Sequence, residues 1–385
     1  MLRFKQYLLE SAASEDKLTH LEHLEDHPIN AGAAGVQHAI NNLVAVHRKL
    51  RGADNDTRIT TKFDGSPSIV FRHHPETGRF FVASKSAFNK TPKINYTEED
   101  IEKNHGHAPG LVEKLKAALN HLPKSTPPRG VYQGDIMHSG NDVQRTGRKV
   151  SFTPNTITYS APAGSEHGKA AQRAKIGVAV HTAYKGDTFD NMKAEYAPKI
   201  ENFNKHPDVH LIPVEHSLNK VNYGKEHQGQ FREHLRSAMR SSRGINHDAI
   251  IPHQIPLKTY INSTVRAGTK PTVEGFMNHY KNALEKKVDA VKTPKAKEAK
   301  TVEMQRTLDH VSSNKDHFGK TLELHHHLQS AKNVLTNALS SHSDFEHRIQ
   351  GKKAKPEGFV VVQNNRPTKF VDRQEFSAAN FNRPK

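Results

Sequence analysis

Apolar positions along the chain follow two periods, and the change between them divides it. Residues 35–50 place Val36, Ile40, Leu43, Val44 and Leu50 at helical spacing, which predicts a helix stopped by Gly52. From 59 to 186 the pattern becomes strand-like. Short apolar runs at 59–62, 67–71 and 79–86 predict a small antiparallel set, with 75–78 as the turn between the last two. Two helices should interrupt it. One opens at Thr97, a capping residue followed by three acids; the other opens at Pro109, with Leu111, Leu115, Leu119 and Leu122 as its apolar face. Strands are expected again at 131–137, at 150–160 around a Pro154-Asn155 loop, and at 175–184. In the last of these, Ile176 to Val180 forms a continuous apolar run suited to a buried strand.

Beyond Tyr184 the helical period takes over. Helices are expected at 187–202, 228–243 and 271–291, with an extended piece at 210–215. The Lys/Ala-rich 286–300 is interrupted by Pro294 and predicts a loop or frayed helix. A further helical pattern covers 308–339, with Gly319 as a kink. Strands return at 358–362 and 368–371. The expected organisation is therefore an N-terminal helical segment (1–58), a core (59–186), a mostly helical insertion (187–350) and the closing strands of the core (351–385). The fold class is α+β, and no internal repeat is visible.

Charge adds a partner to this picture. Lys plus Arg is 57 against 40 Asp plus Glu, a net charge of +17, and the mean hydropathy is −0.78. Such an excess attracts polyanions, nucleic acid first among them. The absence of cysteine excludes disulfides, thiolate metal sites and cysteine nucleophiles. No apolar run is long enough for a membrane span, and the first ten residues lack the apolar core of a secretory signal. Histidine is abundant, with 28 residues. His20, His23 and His27 share a helical face, but no carboxylate motif accompanies them. His325, His326 and His327 are adjacent, so on a helix they diverge. Neither group predicts a metal site.

The candidate chemistry sits at strand ends. In chain order these carry Lys62, Asp64, Lys85, Asp135, Glu357 and Lys369. Each alone is explained by a solvated sheet edge, and Asp64-Gly65 by a hairpin turn. Together, cations and carboxylates converging from separate strands suit phosphate chemistry. A lysine can act as nucleophile, carboxylates can hold Mg²⁺, and further lysines can stabilise charge on phosphate.

The order of these residues resembles the covalent nucleotidyltransferase superfamily of ATP-dependent DNA and RNA ligases and mRNA-capping guanylyltransferases, nearest to phage RNA ligases. Lys62-Phe63-Asp64-Gly65 matches the family's Lys-x-Asp-Gly motif. Ser84-Lys85 stands for its Ser-Arg pair, and Gly134-Asp135 for Gly-Glu. Glu357-Gly358-Phe359-Val360 matches Glu-Gly-x-Val, and Lys369-Phe370-Val371 stands for Lys-x-Lys. The likeness covers about 1–185 and 355–385.

It implies a ligase-type adenylyltransferase fold with ATP-grasp-like antiparallel sheets and helices, using ATP and Mg²⁺ (or Mn²⁺). Lys62 would take AMP as a phosphoramidate and Asp64 would position it. Glu357 and Asp64 would support the metal, Asp135 would approach the ribose, and Lys369 would contact the α-phosphate. Thr61, Gly65, Lys85 and Tyr184 would complete the nucleotide site. RNA or DNA ends or nicks would be the acceptor.

The chain departs from the pattern at Asp135, at Val371 in place of the second lysine, and at Thr61 where many ligases have Glu. The stacking aromatic could be Tyr184 or His181, and the expectation is that no C-terminal OB domain follows Lys369. Residues 1–10, ending Leu8-Leu9-Glu10, resemble a capsid-targeting leader of T-even-like phages. That implies the cytoplasm of a phage-infected bacterium, with packaging in the virion as an extension. The alternative function is a non-catalytic basic DNA-binding head protein on a degenerate ligase-like fold. A third reading is adenylylation of a protein or small acceptor.

Overall fold

The computed structural model describes residues 21–74, 77–89, 91–186 and 192–374. The leader-like residues 1–10, His20 and all of 375–385 lie outside them. In chain order, helix α1 (His27–Leu50) precedes strands β1 (Arg58–Thr61), β2 (Ser68–His73) and β3 (Phe80–Ala83). Helices α2 (Glu98–His105) and α3 (Pro109–His121) follow, then β4 (Val131–Ser139), β5 (Gln144–Thr146), β6 (Lys149–Phe152) and β7 (Ile157–Pro162). After α4 (Glu166–Arg173) come β8 (Ile176–Lys185), β9 (Lys193–Tyr196) and β10 (Val209–Ile212). A helical run contains α5 (Lys225–Ser241), α6 (His247–Ile250), α7 (Gln254–Ala267), α8 (Val273–Asp289), α9 (Pro294–Ser313) and α10 (Lys315–Leu339). The chain closes with β11 (Glu346–Ile349), β12 (Lys352–Ala354), β13 (Gly358–Gln363) and β14 (Arg366–Val371). The architecture is mixed α+β with several antiparallel sheets.

Two compact units divide these elements. The first comprises Met1–Leu21, Arg58–Asn219 and His342–Pro367; the second comprises Glu22–Thr57, Lys220–Ser341 and Thr368–Lys385. The boundary between them falls inside β14.

In the first unit a six-stranded sheet runs β10-β8-β4-β2-β3, with β9 also on β8. Its two faces follow from strand alternation. On one face Ile69, Phe71, Ile136, Val178 and Val180 meet Ile101, Val112, Leu115, Ala118 and Leu122 of the helical stretch. The buried stripe of α3 is thus turned slightly from the four leucines expected: Leu111 and Leu119 are only partly buried, and Val112 and Ala118 replace them. The other face carries Val70, Ala83, Val131 and Tyr184. A second, five-stranded sheet runs β12-β11-β7-β6-β5. Its aromatic cluster joins Phe152, Tyr159 and Phe345 to Phe63, with ring centres 5.7–6.1 Å apart.

The expected helix at 187–202 is not formed over its described part. Residues 193–196 are β9, antiparallel to β8, and a single short turn of helix covers Ile200–Asn202. Tyr196 and Ala194 pack on the sheet with Tyr184, so tertiary burial overrides a weak helical pattern. β10 pairs with β8 in parallel. The helical region therefore begins near Lys220, not at 187. A buried histidine chain also lies in this unit: His138 Nε2 is 3.0 Å from His210 Nδ1, and His210 Nε2 is 3.0 Å from His167 Nδ1.

The second unit is helical. Ile29, Ile250, Leu257, Tyr260, Ile261, Phe276, Val311, Phe318 and Leu322 form one core. α1 is kinked near its start: Ala31 and Gly32 leave helical geometry, Gly32 at φ 55° and ψ −134°, a conformation glycine adopts cheaply. Pro294 opens α9 instead of fraying it, because proline at the first turn removes only an orphan donor. The break between α9 and α10 falls at Asn314, and α10 runs through Gly319 unbroken. Among the described residues, no helix is long and apolar enough to cross a membrane.

A buried ion cluster ties the ends of this unit together. Lys332 and Glu25 are both fully buried, with Nζ donating to both carboxylate oxygens at 2.9 Å and to the Val371 carbonyl at 2.6 Å. Arg373 grips Asp26 with two bonds, at 2.8 and 2.9 Å, and His325 adds a third at 3.1 Å. Burial raises the Glu25 pKa, but Lys332 and its neighbours outweigh it and hold the carboxyl down to about 2.

Removing one partner leaves a charge uncompensated. Lys332→Met should lower unfolding free energy by about 3–5 kcal/mol, read as a fall in urea midpoint. The exposed pair Lys300–Glu303 gives the contrast: Lys300→Met should change stability by under about 1 kcal/mol. Equal effects from the two substitutions would contradict the account.

The histidine chain makes a second prediction. Burial pushes His138 down to about 4 and His210 to about 2, the latter helped by His138 and His167. Both are neutral when folded, so below pH 6.5 the unfolded chain takes up more protons. Stability should fall as pH drops from about 6.5 toward 4, by up to about 1.4 kcal/mol per pH unit for each histidine. Unfolding curves between pH 7 and 5 should show this, with a shallower dependence in His210→Asn. An unchanged slope in that variant would contradict it.

Candidate active site

Strand pairing builds the centre of the first unit. β1 runs antiparallel to β13, with Thr61 opposite Phe359. One residue further, the Lys62 amide donates to the Gly358 carbonyl at 2.9 Å. The Lys62 ammonium then meets Glu357, with Nζ 2.5 Å from Oε1. Both side chains are mostly covered, at 25% and 13% exposure. Gly358 sits at φ 148°, a backbone region open to glycine. This explains the Glu-Gly order: the glycine turns the chain so that the preceding acid faces the lysine. Thr61 is fixed on its other side, where its amide donates to the Val214 carbonyl at 2.7 Å and its Oγ1 lies 3.2 Å from His216 Nδ1. The His216 ring packs edge-on to Phe359, at 4.7 Å.

After Lys62 the chain is held at every step. Phe63 is buried in the aromatic cluster. The Asp64 amide donates to the Tyr159 hydroxyl at 2.7 Å. The Asp64 carboxylate accepts from Asn155 Nδ2 at 2.7 Å, the Thr156 amide at 2.8 Å and the Ile157 amide at 3.3 Å. Both its oxygens therefore secure the loop before β7. Asp64 is also expected to support a metal; in this structure its oxygens face these three donors. Gly65 lies flat against β4: a Cβ there would sit 2.5 Å from the Asp135 Cβ and 2.9 Å from Met137 Sδ, so no side chain fits. The Ser66 amide bonds the Ile136 carbonyl at 3.0 Å, and Lys114 Nζ donates to the Ser66 carbonyl at 2.9 Å.

This places Asp135 beside the Lys62 loop. Its register neighbours are Ser68 and Ala179, and His181 Nε2 lies 3.5 Å from its Oδ1. His181 stands at an irregularity of β8, where Gln133 pairs Thr182 and Gly134 pairs Val180; the extra residue leaves the ladder and its ring reaches the acid. Burial raises the Asp135 pKa, but His181, the Ser68 hydroxyl and Lys62 outweigh it, so the carboxyl is held below its usual range. Lys85 is exposed and follows β3. Val70 pairs Ala83 at the last rung of the ladder, and Lys85 opens a short 3-10 helix two residues beyond it.

One expected site residue is placed elsewhere. Tyr184 is 4% exposed, packs in the apolar cluster with Val70, Val131 and Met192, and donates its hydroxyl to Gln133. It is a core residue and offers no free ring face; of the two aromatic candidates, His181 is the one beside Asp135. Lys369 stands on β14, past the point where the second unit begins, and its amide donates to the Glu22 carbonyl at 2.9 Å. The first unit thus joins Thr61, Lys62, Asp64, Gly65, Asp135 and Glu357, and it also holds the exposed Lys85 beyond β3. Lys114, Tyr159 and His216 were not foreseen. Lys114 lies on a helix read only for its leucines, and the other two carry no motif.

Among the described residues, no group of three or more His, Asp or Glu side chains could hold a metal ion. Glu357 is the acid beside Lys62 that could support a hydrated Mg²⁺ whose remaining ligands are water and phosphate oxygens.

If Asp64 is a loop anchor, its geometry sets the outcome of substitution. Asp64→Ala leaves two backbone amides without their acceptor and should cost about 1–3 kcal/mol. Asp64→Asn keeps an acceptor oxygen and should cost less than half of that in the same chemical-denaturation measurement. Equal losses would argue against the anchor.

No curated protein and no solved structure matches the chain. Residues 17–385 match a family described as a family of unknown function (DUF6267).

Proposed function

The chain belongs to that family of unknown function, so its own site must carry the reading, and we propose that it is an ATP-dependent adenylyltransferase of the polynucleotide-ligase type, working through Lys62. The observation that carries this is the Lys62–Glu357 pair: a lysine and a glutamate 295 positions apart, 2.5 Å from each other. The neighbouring Lys-x-Asp-Gly and Glu-Gly-x-Val motifs support it, as does Asp135 behind Gly65.

The chemistry follows from those atoms. A lysine attacks only as the free amine, and Glu357 Oε1 is the proton acceptor within reach. The Nζ lone pair would form a P–N bond to the α-phosphorus of ATP while the bond to pyrophosphate breaks. Mg²⁺ (or Mn²⁺) supplies charge neutralisation on the departing phosphates. Lys85, exposed beyond β3, can add positive charge there. Asp135, with its charge maintained by His181 and Ser68, offers an acceptor to the ribose hydroxyls. AMP would then pass to a polynucleotide 5′-phosphate, and a 3′-hydroxyl would displace it.

The first step is directly testable. Incubation with α-labelled ATP and Mg²⁺ or Mn²⁺ should leave label on the protein that survives alkali and is lost in hot acid, as a phosphoramidate requires. Lys62→Ala should abolish it, and Glu357→Gln should reduce its rate by about 10²-fold or more. No label on the wild type, or equal label on Lys62→Ala, would refute the proposal. The second reading, a DNA-binding protein without turnover, is favoured by the net charge of +17 and predicts tight polynucleotide binding with no labelling.

A further inference from the structure

A stripe of arginines in the second unit is unused by the chemistry above. α5 places Arg232, Arg236 and Arg240 four residues apart, and Arg243 continues the row through a turn in which its amide bonds the Arg240 carbonyl at 3.1 Å. At 100° per residue the four fall within an arc of about 80° and span about 16 Å of helix axis. All four are exposed. Gly229, Glu233 and Met239 share this open face with them.

The opposite side of the helix is fixed. Phe231 and Ala238 are buried, and the Phe231 ring stacks on His47 at 4.6 Å. Glu233 is the single acid of the open face, and among the described residues no ion pair joins it, or any other carboxylate, to the four arginines. The Arg240 guanidinium donates to the Ser237 hydroxyl at 3.1 Å. More positive charge adjoins: Lys270 and Arg240 both act on His327, and the Lys320 ammonium lies near Gly244.

Leaving arginines unpaired along one ridge costs stability through self-repulsion unless an anion compensates. About 16 Å of ridge matches four to five phosphates at about 3.4 Å rise per strand. The guanidinium fork suits phosphate oxygens, which it can grip with two parallel bonds. The open face offers one exposed apolar residue, Met239, at 45% exposure, which is far short of the apolar face a membrane-surface helix inserts. It offers no aromatic ring on which a base could stack.

We infer that the Arg232–Arg236–Arg240–Arg243 ridge binds the phosphate backbone of nucleic acid without regard to sequence. The inference deepens the proposed reaction by naming a surface for its polynucleotide, and it is tested separately from Lys62.

The test is fluorescence anisotropy of the full chain with a labelled duplex DNA over a range of salt concentrations. Replacing all four arginines by Gln should weaken binding more than about tenfold at low salt and reduce the slope of log K against log salt by about 3 to 4. The half-sets R232Q/R236Q and R240Q/R243Q, each less exposed to folding failure, should each reduce it by about 2. A control, K286Q/K287Q/K292Q/K295Q, removes the same charge elsewhere and should leave the slope nearly unchanged. Two scrambled duplexes should bind alike. Lys62→Ala should bind as the wild type does; if labelling fails while the ridge variants lose binding, this inference stands without the enzyme. Equal losses from ridge and control variants, or binding of anionic phosphatidylserine vesicles with none of DNA, would overturn it.

Discussion

The pairing of β1 with β13 is the constraint on which the candidate site depends. Lys62 and Glu357 are 295 residues apart, and closing such a loop costs about 5 kcal/mol in chain entropy. A surface ion pair worth about 1 kcal/mol could not offset this. The backbone ladder does, through four residue pairs from Arg58↔Val362 to Thr61↔Phe359, with Ile59, Phe359 and Val361 buried along it. The ion pair is therefore a consequence of the ladder. Geometry imposed by buried backbone holds a lysine and a glutamate at 2.5 Å, where one can take the other's proton.

The same division between framework and chemistry recurs around Lys62. Phe63, Asp64 and Gly65 are spent on position: a ring in an aromatic cluster, a carboxylate on three donors, and a bare Cα against Asp135. The charged groups beside this framework are Lys62 with Glu357, Asp135 with His181, and the exposed Lys85. Charges with structural work elsewhere are fully enclosed, as Glu25 and Lys332 are. Charges open to partners, such as the α5 arginines, lie on the surface without an ion pair among the described residues.

Much of this was legible in the sequence because strands and motifs are local. The positions of β2, β4, β8 and β13 follow from short apolar runs, and Lys62, Asp135 and Glu357 follow from glycine-adjacent acids and lysines at their ends. What escaped depended on tertiary contacts. Residues 193–196 became a strand because β8 offered a free edge. Tyr184 went into the core because Gln133 could accept its hydroxyl. The ion cluster of Glu25, Asp26, Lys332 and Arg373 joins residues more than 300 positions apart, and no spacing rule reveals it. Asp64 is expected from its motif to position AMP and support a metal; its anchoring of the Asn155–Ile157 loop, 91 positions away, is visible in no local pattern.

The central claim is that Lys62 is a nucleophile. After incubation with ATP and a divalent cation, peptide mass spectrometry should find the mass of one AMP on the peptide containing Lys62, removed again by added pyrophosphate. An unmodified Lys62 peptide, or AMP on a different lysine, would contradict the account.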